Sequence, residues 1–446
     1  MLRTNYRRLG VSRSIASAYR ALRFTSTIIS VLLLATPLGA HAAPGSPCLA
    51  APALPAPTGN TVNVSNASQL RTAISNLTAN TTIVLAPGEY VLSSTLYIRR
   101  NNVTIIGQTD SCEDSILIGN GMDNADYGSV PHGIWSDADN LTIANLTIRD
   151  VYYHTIIFNF GAQSPLIYNV KLLNSGQQFI KSNPSGYGNG VDNGRVEYTI
   201  MEYPDAPTNH SGSSTGYTNG VDVHAGENWV IRNNLFKNFH TPDSADYLWN
   251  PAILMWNGAS GTIAEGNRFV DVDRAIAFGL IDRADPDHFG GIIRNNMIYY
   301  SPGLYSSSRT GSSDASILVW DSPQTKVLHN TILTNGNLND AMQVRFASTG
   351  VEIRNNLVDN SIRSRGGAQY VSSDNMTNAN SEMFIDPSNG DLHLKPTALE
   401  AMNQVKQLAD APMDIDGHNR QSIMSDVGAD EFVHLDPTCI PHPTGL

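Results

Sequence analysis

Asp222 and His224 sit two residues apart in the stretch Gly220–Gly226, alternating with Val221 and Val223. A strand with a side-chain period of two sends the valines to one side and the carboxylate and imidazole to the other. A carboxylate that fixes one tautomer of a neighbouring imidazole makes a proton-transfer site that works near neutral pH. An alternative is that Asp222 only steadies a solvated His224.

Similar triplets recur along the chain: Phe179-Ile180-Lys181, Asp222-Val223-His224, Leu254-Met255-Trp256, Ala277-Phe278-Gly279, Leu318-Val319-Trp320 and Gln343-Val344-Arg345. Their middle residues are apolar and suit an interior. If the triplets stack about 4.8 Å apart, the third residues form an outward column of Lys181, His224, Trp256, Gly279, Trp320 and Arg345. That column offers a base, two flat platforms and a carboxylate reader, and it suits a groove for a sugar chain. Trp256 and Trp320 have a second reading, packing under the loops at 240–250 and 303–314. Asp273-Arg274 and the run Asp282–His288 place mixed charge beside the column. They read as self-paired salt bridges, or as a Ca²⁺ site from Asp282, Asp285 and Asp287.

The elements that must position these residues come from a repeated phrase. Ile231–Phe236, Ala264–Phe269, Ile293–Ile298, Leu328–Ile332 and Ile353–Val358 each carry an asparagine two residues before the final apolar residue. Those asparagines, Asn234, Asn267, Asn296, Asn330 and Asn356, follow at steps of 33, 29, 34 and 26 residues. Ile143–Ile148 and Ile167–Leu172 are looser, earlier copies. Each copy has short strands, Asn and Gly at turns, and no long run of 3.6 period, which disfavours helical solenoids and propeller blades. The pattern predicts an all-β chain, a single-stranded right-handed parallel β-helix over 61–435, with the asparagines in a hydrogen-bonded ladder. A short helix over Ser68–Leu77, capped by Ser65 or Asn66, is expected to cover its first coil. Phe384–Leu394 and Asp414–His418 read as closing coils and a cap, with solvated acidic turns.

Residues 1–42 read as an export signal: six arginines without an acid, an apolar run at Ile28–Ala35, then Ala40-His41-Ala42, with cleavage before Ala43. The apolar run is shorter than the ~20 residues of a membrane span. A secreted or periplasmic location is expected. Losing the six arginines moves the formal net charge from −12 to −18, which argues against nucleic acid or an anionic membrane as partner. An Ala/Pro-rich linker at 43–60 and a tail at 436–446 flank the repeats, and a monomer is expected. The three cysteines, Cys48, Cys112 and Cys439, allow one disulfide without fixing the pair. No Cys/His spacing matches a zinc site.

The Ile-Arg-Asn-Asn coils, the export signal and the Asp222–His224 strand together resemble the right-handed parallel β-helix carbohydrate-active proteins. Among these are the chondroitinase B and alginate lyase family and the mannuronan C5-epimerases. The epimerases carry Asp-Pro-His-Asp where this chain has Asp222-Val223-His224-Ala225, so Asp and His match while Pro and the second Asp do not. The resemblance implies removal of the C5 proton of a uronic acid, with a cation stabilising the carboxylate-enolate. Lys181 or His224 would be the base, Asp222 would orient His224, and Arg274, Arg283 or Arg345 would neutralise the substrate carboxylate. Trp256 and Trp320 would join Arg345 in binding the sugar chain. The expected activity is that of a polysaccharide lyase on an acidic polysaccharide, with no obligate cofactor and Ca²⁺ as an optional one. Alternatives are C5 epimerisation, glycoside hydrolysis by Asp222 and Asp273, and a non-catalytic carbohydrate-binding or surface protein.

Overall fold

The computed structural model describes residues 45–433, apart from 57, 206–217 and 422. The export segment, Cys439 and the tail 436–446 lie outside the described residues. No helix among the described residues is long and apolar enough to cross a membrane.

The Asn-Asn phrase explains how each coil turns. Its first residue takes a left-handed conformation, at φ 56° for Asn233, 53° for Asn295 and 59° for Asn355. Gly266 and His329 fill that place in the other two copies, at 63° and 52°. Asparagine and glycine tolerate this backbone best. The second residue turns inward and bonds to its successor. The amides of Asn234, Asn267, Asn296 and Asn330 each donate to the next Oδ1 at 2.9, 3.0, 2.9 and 3.0 Å. Asn356 continues the ladder to Asn375 at 2.8 Å. Each Oδ1 also accepts a backbone N–H from the coil before, as Asn296 does from Asn267 at 3.0 Å. The turn therefore buries polar groups without leaving them unpaired.

Strands pair in parallel from coil to coil along three faces. The first face begins with Asn60–Val64 and ends with Tyr370–Ser373. The second runs from Gly88–Val91 to Leu357–Val358. In two early coils the single strands Thr142–Val151 and Leu166–Ser175 serve both faces. The third face holds ten strands, from Leu96–Ile98 to Ile362–Ser364. This is the expected right-handed parallel β-helix, whose hand follows from strand twist. Inside it, Ile231, Ala264, Ile293, Val327 and Ile353 form a fully buried column, and Phe236 stacks on Phe269 at 4.8 Å. Burying each large aliphatic side chain contributes about 1.5–3 kcal/mol.

Helix α1 spans Ala67–Ser75, and its N-cap is Asn66, whose side chain accepts from Gln69 N at 3.0 Å. It packs across the strands of the first coil, with Leu70 buried beneath it. The Ala/Pro-rich stretch does not hang free. Tyr168 Oη donates to Pro52 O at 2.6 Å, Ala51 and Leu54 pack against Tyr168 and Ile106, and Cys48 is disulfide-bonded to Cys112.

The C-terminal part departs from the expectation of closing coils. The strands stack only as far as Tyr370–Ser373. Phe384–Asp386 and Asp391–Leu394 then form an antiparallel hairpin. It packs with Val270, Met297, Tyr299, Leu333 and Leu357 in a second apolar cluster along the flank of the coils. Arg420, fully buried, fastens this segment to Asn295 at 3.0 Å. The turn carboxylate of Asp414 is not solvated either: it accepts from Asp416 N and His418 N at 2.9 and 2.8 Å. Hairpin and coil use the same apolar alternation, so the sequence pattern alone does not separate them.

Candidate functional site

The register of the third face fixes which side chains share its outer side. Lys181 stands opposite Asp222, and Asp222 opposite Leu254. One pleat further on, His224 faces Trp256 and Trp320 faces Arg345. Lys181 is thus two residues out of the register expected from its triplet. A two-residue slip keeps the outward direction, so lysine, carboxylate and imidazole still meet.

They meet closely. Lys181 Nζ lies 2.5 Å from Asp222 Oδ2 and 2.7 Å from His224 Nε2. Trp256 Nε1 donates to the other Asp222 oxygen at 2.9 Å, and the Trp256 ring leans against the imidazole at 4.5 Å. Asp222 Oδ1 is 3.6 Å from His224 Nε2, too long for a hydrogen bond. Asp222 therefore orients Lys181 and Trp256, and does not grip the imidazole directly as expected. Since an ammonium only donates, His224 Nε2 is the acceptor and the ring proton sits on Nδ1. Burial outweighs the pull of Asp222 and holds the His224 pKa down to about 4. The imidazole is neutral at neutral pH.

The arginines separate into two groups. Arg283 is close enough to influence the titration of His224, and its guanidinium lies 5.8 Å from the Trp256 ring. Its loop is built on Asp287, which accepts from Asn257 N, Leu280 N, Ile281 N and Arg283 Nε at 2.5 to 2.9 Å. With its oxygens spent this way and the side chain fully buried, Asp287 is not turned out with Asp282 and Asp285 toward a cation. Arg274 is held by Asp314 through two bonds, at 2.8 and 2.5 Å. It lies with Arg345 around Trp320, at 5.5 and 4.8 Å from that ring. Trp320 is only 6% exposed. It packs with Leu254, Ala277 and Leu318, with Leu280 and Phe346 alongside. Trp320, Arg274 and Arg345 thus form a closed stack two to four coils away from His224, rather than an open sugar platform. Asp273 is also withdrawn. Fully buried, it pairs with Arg309 of helix α2, Ser307–Gly311, and accepts from Tyr305 and Thr241. It is not available as a partner for Asp222.

One wall of the site had no signal in the sequence. Loop 183–190 reaches past the neighbouring coil, and Tyr187 Oη donates to Pro286 O at 2.5 Å. Gly258 lies under the Tyr187 ring, where an added Cβ would approach it to 3.0 Å. Asn183 and Asn159, bonded at 2.9 Å, continue the outward line that His224 begins. Only their spacing to Lys181 and Ile157 hinted at this.

A carboxylate-seated ammonium beside a neutral imidazole, on the outer side of a parallel β-helix, places a proton donor and a proton acceptor 2.7 Å apart. No family model and no curated protein matches the sequence. In fold the chain is similar to an alginate lyase from Paenibacillus sp. str. FPU-7, at 15% identity and TM-score 0.43 over 71% of this chain and 95% of that one. It is similar to the pectate lyase Pel9A at 12% identity and TM-score 0.44, over 84% and 97%. The mannuronan C-5 epimerase A-module of Azotobacter vinelandii gives 14% identity and TM-score 0.36, over 70% and 95%.

Proposed function

We propose that this protein acts on an acidic polysaccharide and cleaves it by β-elimination at a uronate. The observation that carries the reading is the 2.7 Å contact between Lys181 Nζ and His224 Nε2 above the buried Asp222. His224, neutral and with its Nε2 lone pair held at rest by Lys181 Nζ, takes the C5 proton once that ammonium turns to the substrate O4. The C5–H electrons form the C4=C5 double bond as the C4–O4 bond breaks. Lys181, held as a donor by Asp222, gives a proton to the departing O4. Arg283 offsets the charge that builds on the uronate carboxylate, and Asp222 stabilises the imidazolium across 3.6 Å.

Lys181 Nζ and His224 Nε2, 2.7 Å apart, would meet a ligand from one side, which supports elimination over epimerisation, since inversion at C5 needs a donor on the opposite side. The withdrawal of Asp273 into the core removes the carboxylate pair that hydrolysis would use. Export to the periplasm or beyond, monomeric action and independence of a cofactor belong to the same proposal.

The test is a panel of polyuronates followed two ways. Elimination gives the ultraviolet absorbance of a double bond conjugated to a carboxylate, and this signal should vanish in His224→Ala. New reducing ends without absorbance would mean hydrolysis. Inverted C5 configuration without chain breakage would mean epimerisation, and binding without product would leave a recognition module. Any of those three outcomes removes the lyase reading.

A further inference from the structure

The outer side of the third face continues beyond the candidate site in only one direction. Toward the C-terminal coils it is covered: Leu254, Ala277 and Leu318 are at most 4% exposed beneath their neighbours. Toward the N-terminal coils the register carries two lines of side chains outward. One runs from Lys181 past Ile157, itself only 6% exposed, to the more open Trp135 and Tyr97. The other runs from His224 through Asn183 and Asn159 to Asp137 and Arg99, each lying two residues after its partner in the first line.

The far end of these lines is an aromatic shelf. The Tyr97 and Trp135 rings lie 5.6 Å apart, and Tyr97 is 45% exposed. The Arg99 guanidinium covers Trp135 at 4.4 Å. It pairs with Asp137 at 3.0 Å while staying more than half exposed. Trp135 and Lys181 are separated by two strand spacings, about 10 Å, a span that an oligosaccharide bridges. Between them lie the paired amides of Asn159 and Asn183, donors and acceptors suited to sugar hydroxyls.

We propose that Tyr97 and Trp135, with Arg99, form a remote subsite for the same uronate chain that reacts at Lys181 and His224. The assignment rests on the functional reading above. The chain lies parallel to the solenoid axis. Its sugar faces rest on the two rings, and Arg99 exchanges part of its bond to Asp137 for a uronate carboxylate. The reacting unit then sits at the covered end of the groove, and the rest of the polymer extends toward the N-terminal coils.

The test compares binding of long polyuronate and of a uronate disaccharide, too short to reach from Lys181 to Trp135, in a His224→Ala background to prevent turnover. Trp135→Ala should weaken binding of the long chain about tenfold and leave disaccharide binding unchanged. Trp135→Phe, which keeps a ring, should recover most of the loss. Long-chain binding that is equal with and without Trp135 overturns the subsite while leaving the proposed function standing. A parent protein that binds no polyuronate of either length overturns both. A parent in which Trp135→Ala instead abolishes self-association, with sugar binding intact, makes the shelf a contact between copies and overturns the subsite.

Discussion

Lys181 stands opposite Asp222 in the strand register, yet its Nζ reaches the imidazole one pleat further along, 2.7 Å from His224 Nε2. One ammonium therefore answers to a buried carboxylate and to a neutral ring at once. Removing either partner leaves the other in a different predicament, and this makes their roles separable.

His224→Ala should lower turnover by about 10²–10⁴-fold while the protein melts close to the parent, because the ring is partly exposed and Lys181 keeps Asp222. Lys181→Met should lose activity and also about 3–5 kcal/mol of stability, since Asp222 then lies buried with its ion-pair partner gone. Equal melting of the two variants would show that the pair does not hold the site together. Turnover and thermal unfolding on the same preparations decide it.

Trp256→Phe keeps a ring against His224 and deletes the N–H that Asp222 accepts at 2.9 Å. Activity should fall about tenfold with KM nearly unchanged, as expected when a positioning bond is lost. A rise in KM alone would make Trp256 a sugar platform after all.

The response to acid follows from burial. His132, His224 and His240 are pushed down to about 4 and His288 to about 3 by desolvation. A depressed histidine contributes stability that is present above its unfolded value, near 6.5, and is lost as pH falls through its folded value. Asp273 and Asp430, pushed up to about 6 by burial, work oppositely, their contribution being lost as pH rises through 6. Histidines dominate, so the melting temperature should drop between pH 7 and pH 5. Turnover in the same range should show no acid limb from His224 until about pH 4. An acid limb near 6.5 that disappears in His224→Ala would contradict its burial.

On the alkaline side the order reverses at His393. Asp416 and Asp391 raise its pKa to about 9 against the opposing cost of burial, which is the largest single effect on it. Its contribution is full below 6.5 and is lost as pH rises through 9. His393→Gln should flatten the decline in melting temperature between pH 7 and 9. An unchanged slope would show that the C-terminal hairpin does not depend on this charge.

Asn296 accepts from Asn267 and donates to Asn330 and Ala264. Asn296→Ala should cost about 3 kcal/mol by leaving buried groups of two coils unpaired. The same change at Asn375, where the ladder ends at a partly exposed position, should cost less. Denaturant unfolding of both variants measures the difference.

Much of the fold was legible because the coil repeats its own constraints. Asn233, Gly266, Asn295, His329 and Asn355 all occupy one left-handed turn, and that shared need printed a visible phrase on the sequence. The inward column and the α1 cap were readable for the same reason. The site was less so. Lys181 precedes a long loop, and nothing local marks a two-residue shift of register. Trp320 and Asp273 have outward-looking sequence contexts, but Arg345, Arg274 and Arg309, distant in sequence, come from neighbouring coils to cover or pair with them. Tyr97 and Trp135 went unread because their coils lack the Asn-Asn phrase that would have aligned them.

Helix α1 has a consequence beyond closing the first coil. A stack of parallel strands is by nature a polymer, ready to take another rung wherever backbone N–H and C=O groups are left bare. Nine residues of helix laid over that rim give the molecule its beginning, and a chain stripped of them would present a template on which fibres grow.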